Sequence, residues 1–151
     1  MVSPVGLNVA DSWASILAGK TGITKITAFD ASRYASQISG DVKDFDPTTY
    51  MDPKEVRRTD PFIHYALAAC TQAMNNCGLV VTEQNAPRLG VAFGSGIGGL
   101  SNIQKSSEIL EQVGPKRISP FFIPATIINM AAGHVSIKFG LKGPNYSIVT
   151  A

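Results

Sequence analysis

Arg88-Leu89-Gly90-Val91-Ala92-Phe93-Gly94-Ser95-Gly96-Ile97-Gly98-Gly99-Leu100 is the stretch on which the fold turns. Leu89, Val91 and Phe93 alternate with small residues, which predicts a strand over residues 88–94. The strand runs straight into Gly94-Ser95-Gly96-Ile97-Gly98-Gly99, and a helix is expected from about residue 100 to 113, broken by Gly114-Pro115. Strand, glycine-rich turn and helix in that order open an α/β unit with a buried sheet.

Downstream, Ser119-Pro120-Phe121-Phe122-Ile123-Pro124 is an aromatic stretch bracketed by prolines. An almost uncharged helix is expected over residues 125–139, closed by Gly140, and residues 145–151 begin a last strand. Upstream, Asp52-Pro53 and Asp60-Pro61 each read as a cap residue followed by proline in the first helical turn. The first opens a short basic turn with Lys54, Arg57 and Arg58. The second opens a long helix to about Cys77, stopped by Gly78. Ile63, Leu67, Cys70, Met74 and Cys77 recur there at helical spacing and describe a buried stripe. Nearer the start, Asn8 or Asp11 caps a short helix with Val9, Trp13, Ile16 and Leu17 on one face, ended by Gly19. Residues 20–50 read as irregular, with a weak strand signal at 37–42. The final strand lacks a stop signal, so the 151 residues are expected to be part of a larger domain.

Bulk properties narrow the function. The chain is 44% apolar and 16% charged, below the roughly 25% charge of typical soluble domains, so an unusual share of its surface is expected to be covered. A net charge of +2 argues against a general nucleic-acid footprint. Cys70 and Cys77 form no CxxC pair, and His64 and His134 are far apart. A zinc site or disulfide framework is therefore not expected, and a reducing compartment fits. No run of about 18 apolar residues suggests a membrane span, and no signal peptide is visible.

Residues 94–99 satisfy G-x-G-x-x-G, which raises the possibility of dinucleotide binding. That reading needs an acidic residue at the end of a second strand about 20 residues on. Lys116-Arg117-Ile118-Ser119-Pro120 offers cations and proline instead, although Arg117 leaves an NADP-binding oxidoreductase open. Glycines serving tight backbone packing are the plainer reading. Cys70 and Cys77, on the apolar face of one helix, read as packing residues, and His134 as a core histidine within an apolar helix.

Taken together, Met1-Val2-Ser3-Pro4-Val5-Gly6, Val42-Lys43-Asp44-Phe45, the glycine run with Leu100, Ile118-Ser119-Pro120-Phe121-Phe122-Ile123-Pro124, Asn129-Met130-Ala131-Ala132-Gly133-His134, Gly143-Pro144 and Ser147-Ile148-Val149-Thr150-Ala151 form one ordered pattern. It resembles the thiolase-like condensing enzymes, most closely the β-ketoacyl-acyl-carrier-protein synthase II group, and does so over the whole chain. The resemblance implies a thiolase-like α/β fold, of which residues 1–151 form the N-terminal part, incomplete at both ends. It implies a homodimer in the bacterial cytoplasm (or a plastid or mitochondrion), elongating fatty acyl chains with no metal or organic cofactor.

The same resemblance places the nucleophilic cysteine immediately after Ala151, and the catalytic histidines and lysine later still. No catalytic residue is then expected within this chain, which alone would be inert. Ile97 and Phe122 match positions bordering the acyl pocket, and Lys54, Arg57, Arg58, Lys116 and Arg117 match positions that contact acyl carrier protein. A plain solvated face and plain core packing remain the alternatives for these residues read alone. A non-catalytic chain-length partner of a polyketide system also shares these early motifs.

Overall fold

In the computed structural model, which describes residues 1–149, the chain divides into two compact units, Met1–Asp46 and a second from Pro47 onward. The first holds helix α1 (Val9–Leu17) and strands β1 (Thr24–Lys25) and β2 (Ile38–Ser39). Asn8 caps α1, its side-chain oxygen accepting from the Asp11 N–H at 2.9 Å. The strands pair antiparallel, Thr24 opposite Ser39, so the stretch expected to be irregular contains a short ladder. Helix α1 turns its apolar face outward. Ser12 is its buried residue, whereas Val9, Trp13, Ile16 and Leu17 are exposed, Leu17 by 70%. Gly6 explains the arrangement, because a β-carbon there would lie 2.4 Å from the Ser12 nitrogen; the small face packs closely and the apolar face is left outward.

The second unit contains α2 (Pro53–Val56), α3 (Pro61–Cys77), β3 (Val91–Gly94), α4 (Leu100–Gln112), α5 (Phe122–Thr126), α6 (Asn129–Phe139) and β4 (Asn145–Ile148). Strands β3 and β4 pair in parallel, Val91 beside Asn145 and Gly94 beside Ile148, with α4, α5 and α6 forming the crossover between them. This is the α/β architecture expected, and β3 starts later than predicted because residues 86–88 form a 3₁₀ turn. Helix α3 keeps its predicted limits: Pro61 occupies the first turn, and Gly78 ends it in the left-handed region at φ 66°.

Ile63 and Leu67 of α3, Val91 of β3, and Ala132 and Val135 of α6 form the buried cluster. The α3 stripe fades along its length, with Cys70 and Met74 half-buried and Cys77 exposed. Residues 125–139 are not one helix. Ile127 is extended (ψ 139°), and α5 and α6 lie on either side of the break. The break is a tertiary effect. The Gly99 N–H donates to the Thr126 carbonyl at 2.9 Å, while the Thr126 hydroxyl donates to the Phe122 carbonyl at 2.6 Å. The Thr126 carbonyl, which a continuing helix would leave to its own ladder, is thus engaged elsewhere.

Gly98 (φ 83°) and Gly99 permit that approach, since β-carbons on them would lie 2.3 Å from the Thr126 oxygen and 2.6 Å from the Ala125 oxygen. A β-carbon on Gly96 would meet nothing within 4 Å beyond its chain neighbours. Gly99→Ala is therefore expected to destabilise the protein by about 1–3 kcal/mol in urea unfolding, and Gly96→Ala to change the midpoint little. Equal midpoints for the two variants would refute the packing role.

Candidate functional site: a cationic cleft

Asp52 caps the short helix α2, its carboxylate accepting from the Lys54 N–H at 2.7 Å, and the chain then turns through residues 57–60 into α3. The corner is fixed from within. The Thr59 hydroxyl donates to the Glu55 carbonyl at 2.7 Å, so its oxygen is left to accept from His64 Nε2 at 2.9 Å. Arg58 pairs with Glu55 at 3.3 Å, and its guanidinium lies 4.3 Å from the centre of the Phe121 ring.

Asp60 is buried, and its carboxylate accepts from the backbone N–H of Asn102 at 2.9 Å. Although it stands at the N-cap position of α3, it caps the first turn of α4 instead. Asn102 in turn donates to Thr126 Oγ1 at 3.4 Å, tying the starts of α3 and α4 to α5. The positive end of α4, where a nucleotide's pyrophosphate would sit, thus holds a protein carboxylate. Lys116 and Arg117 lie in a 3₁₀ turn (Pro115–Arg117), not at the end of a second strand. The glycine run serves backbone packing, and the NADP reading is not favoured.

These elements enclose a cleft of about 400 Å³ lined by Arg57, Arg58, Asp60, Lys105, Arg117 and Phe121, among others. Of the docking residues expected from sequence, Arg57, Arg58 and Arg117 meet here, although 60 positions separate the last from the first. Lys54 and Lys116 are exposed and do not line it. Lys105 was not foreseen, because one lysine on a polar helix face carries no distinguishing signal in sequence. Ile97 is 62% exposed on the glycine loop, and Phe122 is half-buried at the start of α5; neither lines this cleft. The loop and α5 are nonetheless joined by the Gly99–Thr126 hydrogen bond.

Burial pushes the Cys70 thiol above its ordinary value, as suits a packing residue. Cys77, exposed at the end of α3, departs from the expected buried position. Its sulfur bonds the Met74 carbonyl and the Leu79 N–H, both at 3.4 Å. Among the described residues no group of three or more His, Cys, Asp and Glu could hold a metal, and no helix is long and apolar enough to cross a membrane. The nucleophile expected beyond Thr150-Ala151 falls outside the described residues.

Residues 1–151 match the family described as Beta-ketoacyl synthase, N-terminal domain. The chain is 54% identical over 151 residues to a protein of Coxiella burnetii named 3-oxoacyl-(acyl-carrier-protein) synthase 2, covering 100% of this chain and 36% of that one. A protein of the same name from Vibrio harveyi is 51% identical over the same shares, and one from Synechocystis sp. is 47% identical over 150 residues, 99% of this chain and 36% of that one. Among solved structures, the ishigamide ketosynthase/chain length factor superposes with a TM-score of 0.79 at 22% identity, covering 99% of this chain and 38% of that one. A type II polyketide acyl-carrier protein in complex with its ketosynthase (AntDE:AntF) gives 0.73 at 20% identity, covering 97% and 38%. These two structural likenesses establish the thiolase-like fold alone.

Burial, foremost, lowers the pKa of His64, aided by His134; Asp60 and the Val56 and Thr59 carbonyls oppose it. Burial likewise lowers His134, against Glu55. Each imidazole therefore takes up its proton less readily in the folded chain, so the stability present above the ordinary histidine value of about 6.5 is lost as the pH falls below it and through the lowered folded pKa. His64→Asn should flatten the decline of the urea midpoint between about pH 7 and 5. An unchanged slope would show that His64 is not the titrating group.

Proposed function

Because this chain belongs to the β-ketoacyl synthase family through its N-terminal domain, we propose that the protein carrying it is a 3-oxoacyl-(acyl-carrier-protein) synthase of the elongating type. The chain spans 36% of the length of the curated relatives it matches, and residues 1–151 are read as the N-terminal portion of the condensing domain. The observation that carries the reading is 54% identity, over all 151 residues, to a protein named 3-oxoacyl-(acyl-carrier-protein) synthase 2. It favours that enzyme over a non-catalytic chain-length partner.

In the proposed reaction a cysteine thiolate attacks the thioester carbonyl of an acyl group held by acyl carrier protein, and the carrier's thiol leaves. Malonyl-carrier protein then loses carbon dioxide. Its carbanion attacks the acyl-enzyme carbonyl and releases the thiolate, giving a 3-oxoacyl product two carbons longer. The cysteine is expected just after Ala151. A strand-to-helix junction suits it, since the positive helix end stabilises the thiolate. The Ser95 N–H donates to the Ile148 carbonyl at 3.3 Å, so the end of β4 lies against the start of the loop bearing Ile97. That contact supports Ile97, with Phe122, as a border of the acyl pocket.

Carrier-protein docking by Lys54, Arg57, Arg58, Lys116 and Arg117 is supported by the convergence of three of them on one cleft. A homodimer is supported by apolar residues left outward, such as Ile137 at 79% exposure, and a cytoplasmic setting by the bacterial relatives. In the full-length enzyme, Arg57→Glu with Arg58→Glu should raise the KM for acyl carrier protein about tenfold, and an unchanged KM would exclude docking here. Ile97→Phe should impair long acyl chains before short ones in a chain-length series. An unaltered profile would remove Ile97 from the pocket.

A further inference from the structure

Four cations border the cleft. Arg57 and Arg58 come from the corner before α3, Lys105 from α4, and Arg117 from the 3₁₀ turn beyond it. Arg58 is committed within the fold, to Glu55 at 3.3 Å and to the face of Phe121 at 4.3 Å. The acidic group in the lining, Asp60, is buried with its carboxylate on the Asn102 N–H. Among the described residues, no ion pair engages Arg57, Lys105 or Arg117, and all three are exposed. Three unpaired positive charges thus face one hollow of about 400 Å³, whose walls concentrate their field.

A lysine on a convex helix face is an ordinary solvated charge. Lys105 instead borders a concavity that two arginines from distant segments also reach. Exposed Lys54 and Lys116, on the same two segments, extend this basic character beyond the lining. A small anion would use the hollow alone, whereas a protein partner would span both.

We infer that Lys105 completes a cationic seat, with Arg57 and Arg117, that receives carboxylate side chains projecting from an acidic protein partner, so that the cleft sets the partner's position. The inference rests on the proposed carrier-protein docking and adds to it a specificity residue and a point of insertion. Arg58, held by Glu55 and Phe121, forms the fixed wall of the seat.

The test is titration of the full-length enzyme with acyl carrier protein, using Lys105→Glu, Lys105→Arg and the Arg57→Glu/Arg58→Glu pair, with urea midpoints as the control for folding. Lys105→Glu should weaken binding about tenfold, with the loss shrinking at high salt, while Lys105→Arg keeps affinity near that of the parent. A carboxylate-to-lysine change on the partner that restores binding to Lys105→Glu would identify the inserted side chain. If Lys105→Glu binds like the parent while the arginine pair is weakened, the seat is refuted and docking on the corner stands. If neither affects binding, the docking proposal falls, and this inference with it.

Discussion

The carboxylate of Asp60, buried at the start of one helix and spent on capping another, is the contact on which the second unit is organised. A buried carboxylate is costly unless its oxygens find donors, and a hydrogen bond to a charged group is worth about 1.5–3 kcal/mol when it does. Here the donor is the Asn102 N–H of α4, otherwise unpaired within the helix. The two elements are therefore locked at one relative position, and Asn102 carries the constraint to Thr126. The close approach of Gly98 and Gly99 to residues 125–126 completes the joint, because any side chain there would force the segments apart.

From that joint follows the electrostatic character of the surface. With Asp60 turned inward onto a backbone N–H and Glu55 paired with Arg58, the acidic groups nearest the corner are engaged within the fold. Among the described residues, Lys105 on α4 and Arg117 on the turn after it make no ion pair. Polar satisfaction inside the fold and an unbalanced positive cleft outside it thus have one cause. Both outcomes suit a surface that meets an acidic macromolecule, where charge steers encounter and fixes register.

Local chemistry made much of this legible. Helix α3 was readable to the residue because both of its end signals act within one turn: proline tolerated where no N–H is needed, and glycine at positive φ. The strand preceding the glycine run was evident from its alternation, since the period of two is a backbone property. The family likeness was readable because its motifs extend through the whole chain. Helix 125–139 was misread for the opposite reason: its residues favour continuity, and only the Gly99 N–H, arriving from 27 positions upstream, diverts the Thr126 carbonyl. The shared face of Val9, Trp13, Ile16 and Leu17 on α1 was readable, but its outward direction was not, because apolar spacing says which residues share a side and not which side meets a partner.

Sequence by itself therefore determined the α/β class, the limits of α3 and α4 and the packing role of Cys70, all of which depend on residue type and short-range spacing. Tertiary structure alone decided that Asp60 caps α4 rather than its own helix, that Lys105 joins Arg57 and Arg117 while Lys54 and Lys116 stand aside, and that Cys77 is exposed. Those outcomes depend on where segments tens of residues apart come to rest. A hydrogen bond or a shared cleft is set by distance in space, and no local pattern encodes it.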